Sequence, residues 1–151
     1  MVGKNHKVPR VGSLEEDVFV SLWRTADLLS RNIEKIFKKA DVSPTQYNVL
    51  RILRGAPEGL TCSEIGRRMI TRDPDITRLL DRLEKRALIA RCRETKDRRQ
   101  VQTRVTSEGL RLLAELDEPV TELHRHQLGH MGREGLRSLQ TLLEEARQKV
   151  A

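Results

Sequence analysis

Between Thr61 and Thr106 the hydrophobic period of the chain changes, and that change limits its possible folds more than any other feature. Thr61 and Glu64 form a capping box that opens a short helix, Cys62 to about Met69. Asp73-Pro74 starts a second helix that runs to about Arg86, with Ile76, Leu80 and Leu83 facing inward. From Leu88 the pattern shifts to two short stretches containing β-branched residues, LIARCRET and RQVQTRVT. The polar tip Lys96-Asp97-Arg98 separates them, which predicts a β-hairpin. Short helix, tight turn, second helix and hairpin make the winged form of the helix-turn-helix.

The flanks are helical. Ser13 and Glu16 form another capping box, and Leu14, Val18, Leu22, Leu29, Ile33, Ile36 and Phe37 recur at helical spacing to about Lys39. Phe19, Trp23 and Leu28 spill off that stripe, as on a helix that must meet two partners. Ser43-Pro44 opens the next helix, with Gln46 closing a third box, and the Gly55-Ala56-Pro57-Glu58-Gly59 cluster ends it. Behind the hairpin, Ser107 precedes a helix carrying Leu110, Leu113, Leu116 and Val120, which Pro119 is expected to kink or restart. Gly129 and Gly132 break the chain before a last leucine-rich helix. The fold class is therefore mainly α with a small β-hairpin wing. Residues 1–12 read as a flexible basic arm, 13–40 and 107–151 as a helical dimerisation region, and 41–106 as the winged module.

Charge sharpens the functional reading. The net charge is +7, and residues 63–104 hold 13 Lys/Arg against 7 Asp/Glu, while the rest of the chain holds 16 against 15. The cationic excess thus coincides with the winged segment and implies an acidic partner, double-stranded DNA above all. In the first turns of the second helix Asp75, Thr77, Arg78, Asp81 and Arg82 project outward. An arginine there can read guanine with its fork of donors, and a threonine can meet a base edge or a phosphate. Arg67, Arg68 and Arg72 lie just upstream, placed to clamp phosphates. Lys96, Arg98 and Arg99 sit at the hairpin tip, where a thin loop can enter a narrow minor groove.

These segments resemble the MarR family of regulators. The resemblance rests on QYNVLRIL, SEIGRRM, DPDITRLLDRLEKRALIAR and DRRQVQTRVTSEG, and spans about residues 43–112. It implies a homodimer built from the N-terminal helix and the last two helices, with the winged module below, and a two-fold dimer in turn predicts a pseudo-palindromic operator. It also implies that Asp97 holds the wing and Arg99 reaches the minor groove. Where the family usually has glycine, this chain has Ala87, a position suited to a left-handed helix end. A small aromatic or anionic effector between the dimer helices and the winged module is a further implication. Trp23 and Tyr47 are candidates to line that pocket, or else pack in the core as most buried aromatics do.

Other classes fare worse. There is no nucleophile–base pairing, no glycine-rich phosphate loop and no cofactor motif, so an enzyme is disfavoured. The stacking aromatics of RNA readers are missing. An architectural DNA binder without sequence preference is the nearest rival. His126 and His130, next to His124, have metal-compatible spacing, but Gly129 interrupts it and no Cys or Glu cluster joins them. Cys62 stands at a helix N-terminus, and Cys92 in the hairpin reads as a packing residue. Two cysteines and no long apolar run suit the cytoplasm, with no membrane partner.

Overall fold

The structure, a computed structural model, describes residues 12–93 and 100–150. Helix α1 (Leu14–Lys39) is 26 residues long, with Glu15, Glu16 and Asp17 in its first turn and Lys38 and Lys39 in its last. That arrangement opposes the helix dipole at both ends. Ser13 Oγ accepts from Glu16 N at 3.3 Å. Helices α2 (Pro44–Arg54) and α3 (Cys62–Arg68) each open with a complete capping box, Ser43 with Gln46 and Thr61 with Glu64. The Thr61 backbone and hydroxyl hold the Glu64 carboxyl below its ordinary range.

Two helices end in the same way. Past α1, Asp41 N donates to Lys38 O and Val42 N to Phe37 O, with Asp41 left-handed at φ 52°. Past α4 (Ile76–Lys85), Ala87 N donates to Glu84 O and Leu88 N to Leu83 O, with Ala87 left-handed at φ 56°. Both are Schellman motifs, and each carries the apolar pair expected of one, Phe37 with Val42 and Leu83 with Leu88, all four buried. The sequence places the start of α4 at Asp73; the helix starts at Ile76. Asp73 Oδ1 instead accepts from Asp75 N at 2.8 Å, forming an Asx turn, and Asp75 becomes the cap by accepting from Arg78 N at 3.2 Å.

Strands β1 (Ile89–Arg93) and β2 (Val101–Val105) pair antiparallel, Ile89 opposite Val105 and Arg91 opposite Thr103. Leu60 adds a bridge to Thr103, bonded in both directions at 3.0 and 2.8 Å. Helix α5 (Ser107–Leu128) runs through Pro119 without restarting, which leaves the restart alternative unrealised. Leu113, Leu116 and Val120 are all buried, so both sides of the proline are held on the core. A short 3-10 turn (Gly129–Met131) then leads to α6 (Gly132–Arg147), with Gly132 at φ 66°.

One core joins these elements. Phe37 from α1 and Leu113, Leu116 and Val120 from α5 cluster with Tyr47, Leu50, Leu53, Ile65, Leu80, Leu83 and Ile89. Gly109 allows the close approach of α5 to the hairpin base: a Cβ there would lie 2.3 Å from Leu88 O. The first half of α1 stands outside this core, with Leu14, Phe19, Trp23 and Leu28 exposed. Among the described residues no helix is long and apolar enough to cross a membrane.

Candidate nucleic-acid interface

Helices α3 and α4 are set by their buried faces. Ile65 anchors α3, and Leu79, Leu80 and Leu83 anchor α4, with Ile76 partly buried against the same core. Leu79 joins the inward set that the sequence reading assigned to Ile76, Leu80 and Leu83. The turn between the helices is tied to α2, since Ile70 N donates to Asn48 Oδ1 at 2.9 Å. With these faces committed, Arg67, Arg68, Arg72, Asp75, Thr77, Arg78 and Arg82 are all exposed, as the sequence implied.

The electrostatics separate two kinds of arginine. Arg54 forks onto Asp117 at 2.8–3.1 Å and so ties α2 to α5. Arg31, Arg111 and Arg125 are paired with carboxylates one turn away on their own helices. By contrast, among the described residues Arg67, Arg68, Arg72, Arg78 and Arg82 form no ion pair. Glu64 feels the charge of Arg67 and Arg68 without pairing to them, and five such exposed guanidiniums on one helix-turn-helix are a ready counterpart for a row of phosphates. Arg78 and Arg82 also border an open cleft of about 770 Å³, whose far wall includes Glu34, Lys38 and Ser43.

Two expectations need correction. Asp81 does not project freely; with Glu84 it holds Arg91 of β1. The helical period turns positions 81 and 84 toward the hairpin and leaves 78 and 82 on the open face. Cys92 is exposed, because strand alternation sends Ile89 inward and its neighbours at even positions outward. Of the two aromatic candidates, Tyr47 takes the core-packing alternative and Trp23 does not. Tyr47 is buried with its ring 4.4 Å from that of Phe37, while Trp23 is exposed and packs edge-on against Phe19 at 5.5 Å. Neither ring lines the cleft beside α4.

Cys62 is half-buried as the first residue of α3. His124 and His126 lie exposed on α5, and His130 in the 3-10 turn. The described residues contain no group of three or more potential metal ligands. Lys96, Asp97, Arg98 and Arg99 lie outside the described residues. The sequence reading missed the role of Arg91. Its signal was an arginine on the inward-facing register of a strand, two residues after Ile89.

The comparisons agree with this architecture. The model of the MarR family matches residues 40–100. The transcriptional regulator PecS of Dickeya dadantii (strain 3937) is 31% identical over 128 residues, covering 83% of this chain and 77% of PecS. A MarR transcription factor from Planctomyces limnophilus has a solved structure that is 41% identical, with a TM-score of 0.68 over 89% of this chain and 98% of that one. The repressor CouR, solved bound to a 23-mer DNA duplex, is 26% identical, with a TM-score of 0.80 over 92% of this chain and 98% of CouR. The chain belongs to the MarR family of winged helix-turn-helix transcriptional regulators.

Proposed function

We propose that this chain is a sequence-specific DNA-binding repressor that works as a homodimer on a pseudo-palindromic operator. The observation that carries the proposal is the set of five unpaired arginines on α3, its turn and α4. Arg78 and Arg82, with Thr77, face the major groove; Arg67, Arg68 and Arg72 meet phosphates. Asp75 serves them indirectly, by capping α4 and fixing the angle at which its first turn is presented. By resemblance to the family, Lys96, Arg98 and Arg99 reach the minor groove, and Asp97 holds the wing. The relative CouR, solved bound to a DNA duplex, supports DNA as the partner.

Apolar surface supports the dimer. Leu14, Val18 and Leu22 of α1 line a groove of about 650 Å³ with Leu128, Leu139 and Leu143. Trp23, Phe19 and Leu142 extend the apolar surface into solvent, at 67, 58 and 62% exposure. A two-fold copy is the commonest cover for such a surface. Residues 13–40 and 107–151 then form the dimerisation region, 41–106 the winged module, and 1–12 a basic arm. Two recognition helices fall in successive major grooves, about 10 bp apart.

Selection of bound duplexes from a random pool, followed by light scattering, tests the reading. An enriched palindromic motif and twice the 17.4 kDa chain mass are expected. Binding without enrichment, or a monomer at micromolar concentration, overturns it. A small aromatic or anionic ligand is proposed to release the DNA. Linkage then requires operator to weaken the ligand by the same factor, which calorimetry with and without operator measures.

A further inference from the structure

Arg91 sits midway along β1, opposite Thr103, whose backbone is itself bridged to Leu60. Strand alternation puts it on the same face as buried Ile89, so its side chain runs beneath the hairpin toward α4. There Nη2 donates to Asp81 Oδ1 and to Glu84 Oε2, each at 2.5 Å, and Nε donates to Glu84 Oε2 at 2.9 Å. The Arg91 side chain is only 24% exposed, against 47% for Asp81 and 39% for Glu84. Arg91 holds the Glu84 carboxyl below the usual carboxylate range. Leu88 and Ile89 hold the base of the hairpin in the core, and the Leu60 bridge holds β2 at Thr103 without reaching α4. The Arg91 cluster is the polar tie between its middle and the recognition helix.

We infer that Arg91 is a positioning residue: by holding Asp81 and Glu84 together it fixes the β1–β2 hairpin against α4, so that helix and hairpin meet one duplex at a set spacing. The inference rests on the DNA-binding reading above. Arg91 acts through the hairpin and not as a DNA contact: Nε and Nη2 are held by the two carboxylates, and the side chain is mostly covered. A guanidinium can serve both at once with its planar fork, whereas a lysine ammonium at the same place cannot match that geometry.

The rival account is that the cluster only mutes two negative charges near the phosphates. The double variant Asp81→Asn/Glu84→Gln separates the two. It removes both carboxylates, leaves Arg91 in place, and makes the surface more cationic. If charge alone mattered, it would bind operator more tightly, with an unchanged pattern of protection. Positioning predicts the opposite result in hydroxyl-radical footprinting on a selected operator. Protection by the recognition helix persists, and protection by the hairpin is lost. The salt slope of binding drops by about 2 per dimer if one hairpin phosphate contact is lost per subunit, at ~0.9 each. Arg91→Gln should give the same footprint, and Arg91→Lys an intermediate one. Circular dichroism first shows which variants are folded; should the double variant not fold, Arg91→Lys decides by the same footprint. Unchanged protection with equal or tighter binding overturns the inference and leaves the DNA-binding reading intact. No protection by the native chain on any selected duplex overturns both.

Discussion

Ala87→Gly should make this protein more stable. Ala87 is left-handed, at φ 56°, and exposed. Its Cβ therefore contributes little packing, while its backbone is held on both sides. Ala87 N donates to Glu84 O at 2.8 Å, and Ala87 O accepts from Thr106 Oγ1 at 2.5 Å. Glycine keeps both bonds. The left-handed conformation costs a residue with a Cβ about 1–2 kcal/mol. Glycine forfeits about 0.5–1 kcal/mol through the greater freedom of its unfolded chain. The difference leaves a gain of roughly 0.5–1 kcal/mol. For a domain of this size that corresponds to a rise in Tm of about 1–4 °C. Thermal unfolding must be compared at one protein concentration, because a dimer's Tm depends on it. Ala87→Val is the control: a β-branched side chain at this φ should lose about 1–3 kcal/mol. A lower Tm for Ala87→Gly, together with a neutral Ala87→Val, would show that residue 87 is not left-handed and that the α4 terminus is built differently.

Four further outcomes are expected. Gly109→Ala should destabilise by about 1–3 kcal/mol by overpacking, since its Cβ would fall 2.3 Å from Leu88 O and 2.7 Å from Val105 Cγ2; denaturant unfolding measures it. Glu84 has its carboxyl pKa lowered from 4.5 by Arg91, so the stabilisation is present above pH 4.5 and is lost as pH falls through the lowered value. Glu84→Gln should accordingly flatten the fall in stability below pH 4.5, as followed by melting at stepped pH. Arg78→Ala should cost about 1–3 kcal/mol per lost forked contact and relax preference at one symmetric operator position, seen by titrating single-base variants. Arg99→Ala should weaken binding across sequences and lower the salt slope by up to ~2 per dimer, with Asp97→Ala a milder version, seen by titration at several salt concentrations.

Much of this architecture is legible in the residues because local signals and the global fold agree. The Ser43–Gln46 and Thr61–Glu64 boxes mark true helix starts, since each satisfies orphan donors with side chains a few residues away. The hairpin shows because β-branched residues recur around a polar tip. What was hidden depends on partners distant in sequence or on competition between nearby groups. Asp81 reads as a free outward carboxylate until β1 brings Arg91 to it. Asp73-Pro74 looks like a helix start, but the Asp73 side chain captures the Asp75 amide first and delays the helix to Ile76. Pro119 should interrupt a helix by local rules, yet Leu116 and Val120 hold the chain helical on both sides. Trp23 and Tyr47 looked equivalent as aromatics; only packing distinguishes a ring against Phe37 in the core from one on the open stripe of α1.

The central claim is that the unpaired arginines of α3 and α4 read sequence as well as phosphate charge. The direct measurement is the ratio of affinities for a selected palindromic duplex and for its scrambled counterpart, at one physiological salt concentration. The account predicts a ratio of about 10³ or more. A ratio near one, with binding to both duplexes equally weakened by salt, would contradict it and show a surface that recognises only the phosphate backbone.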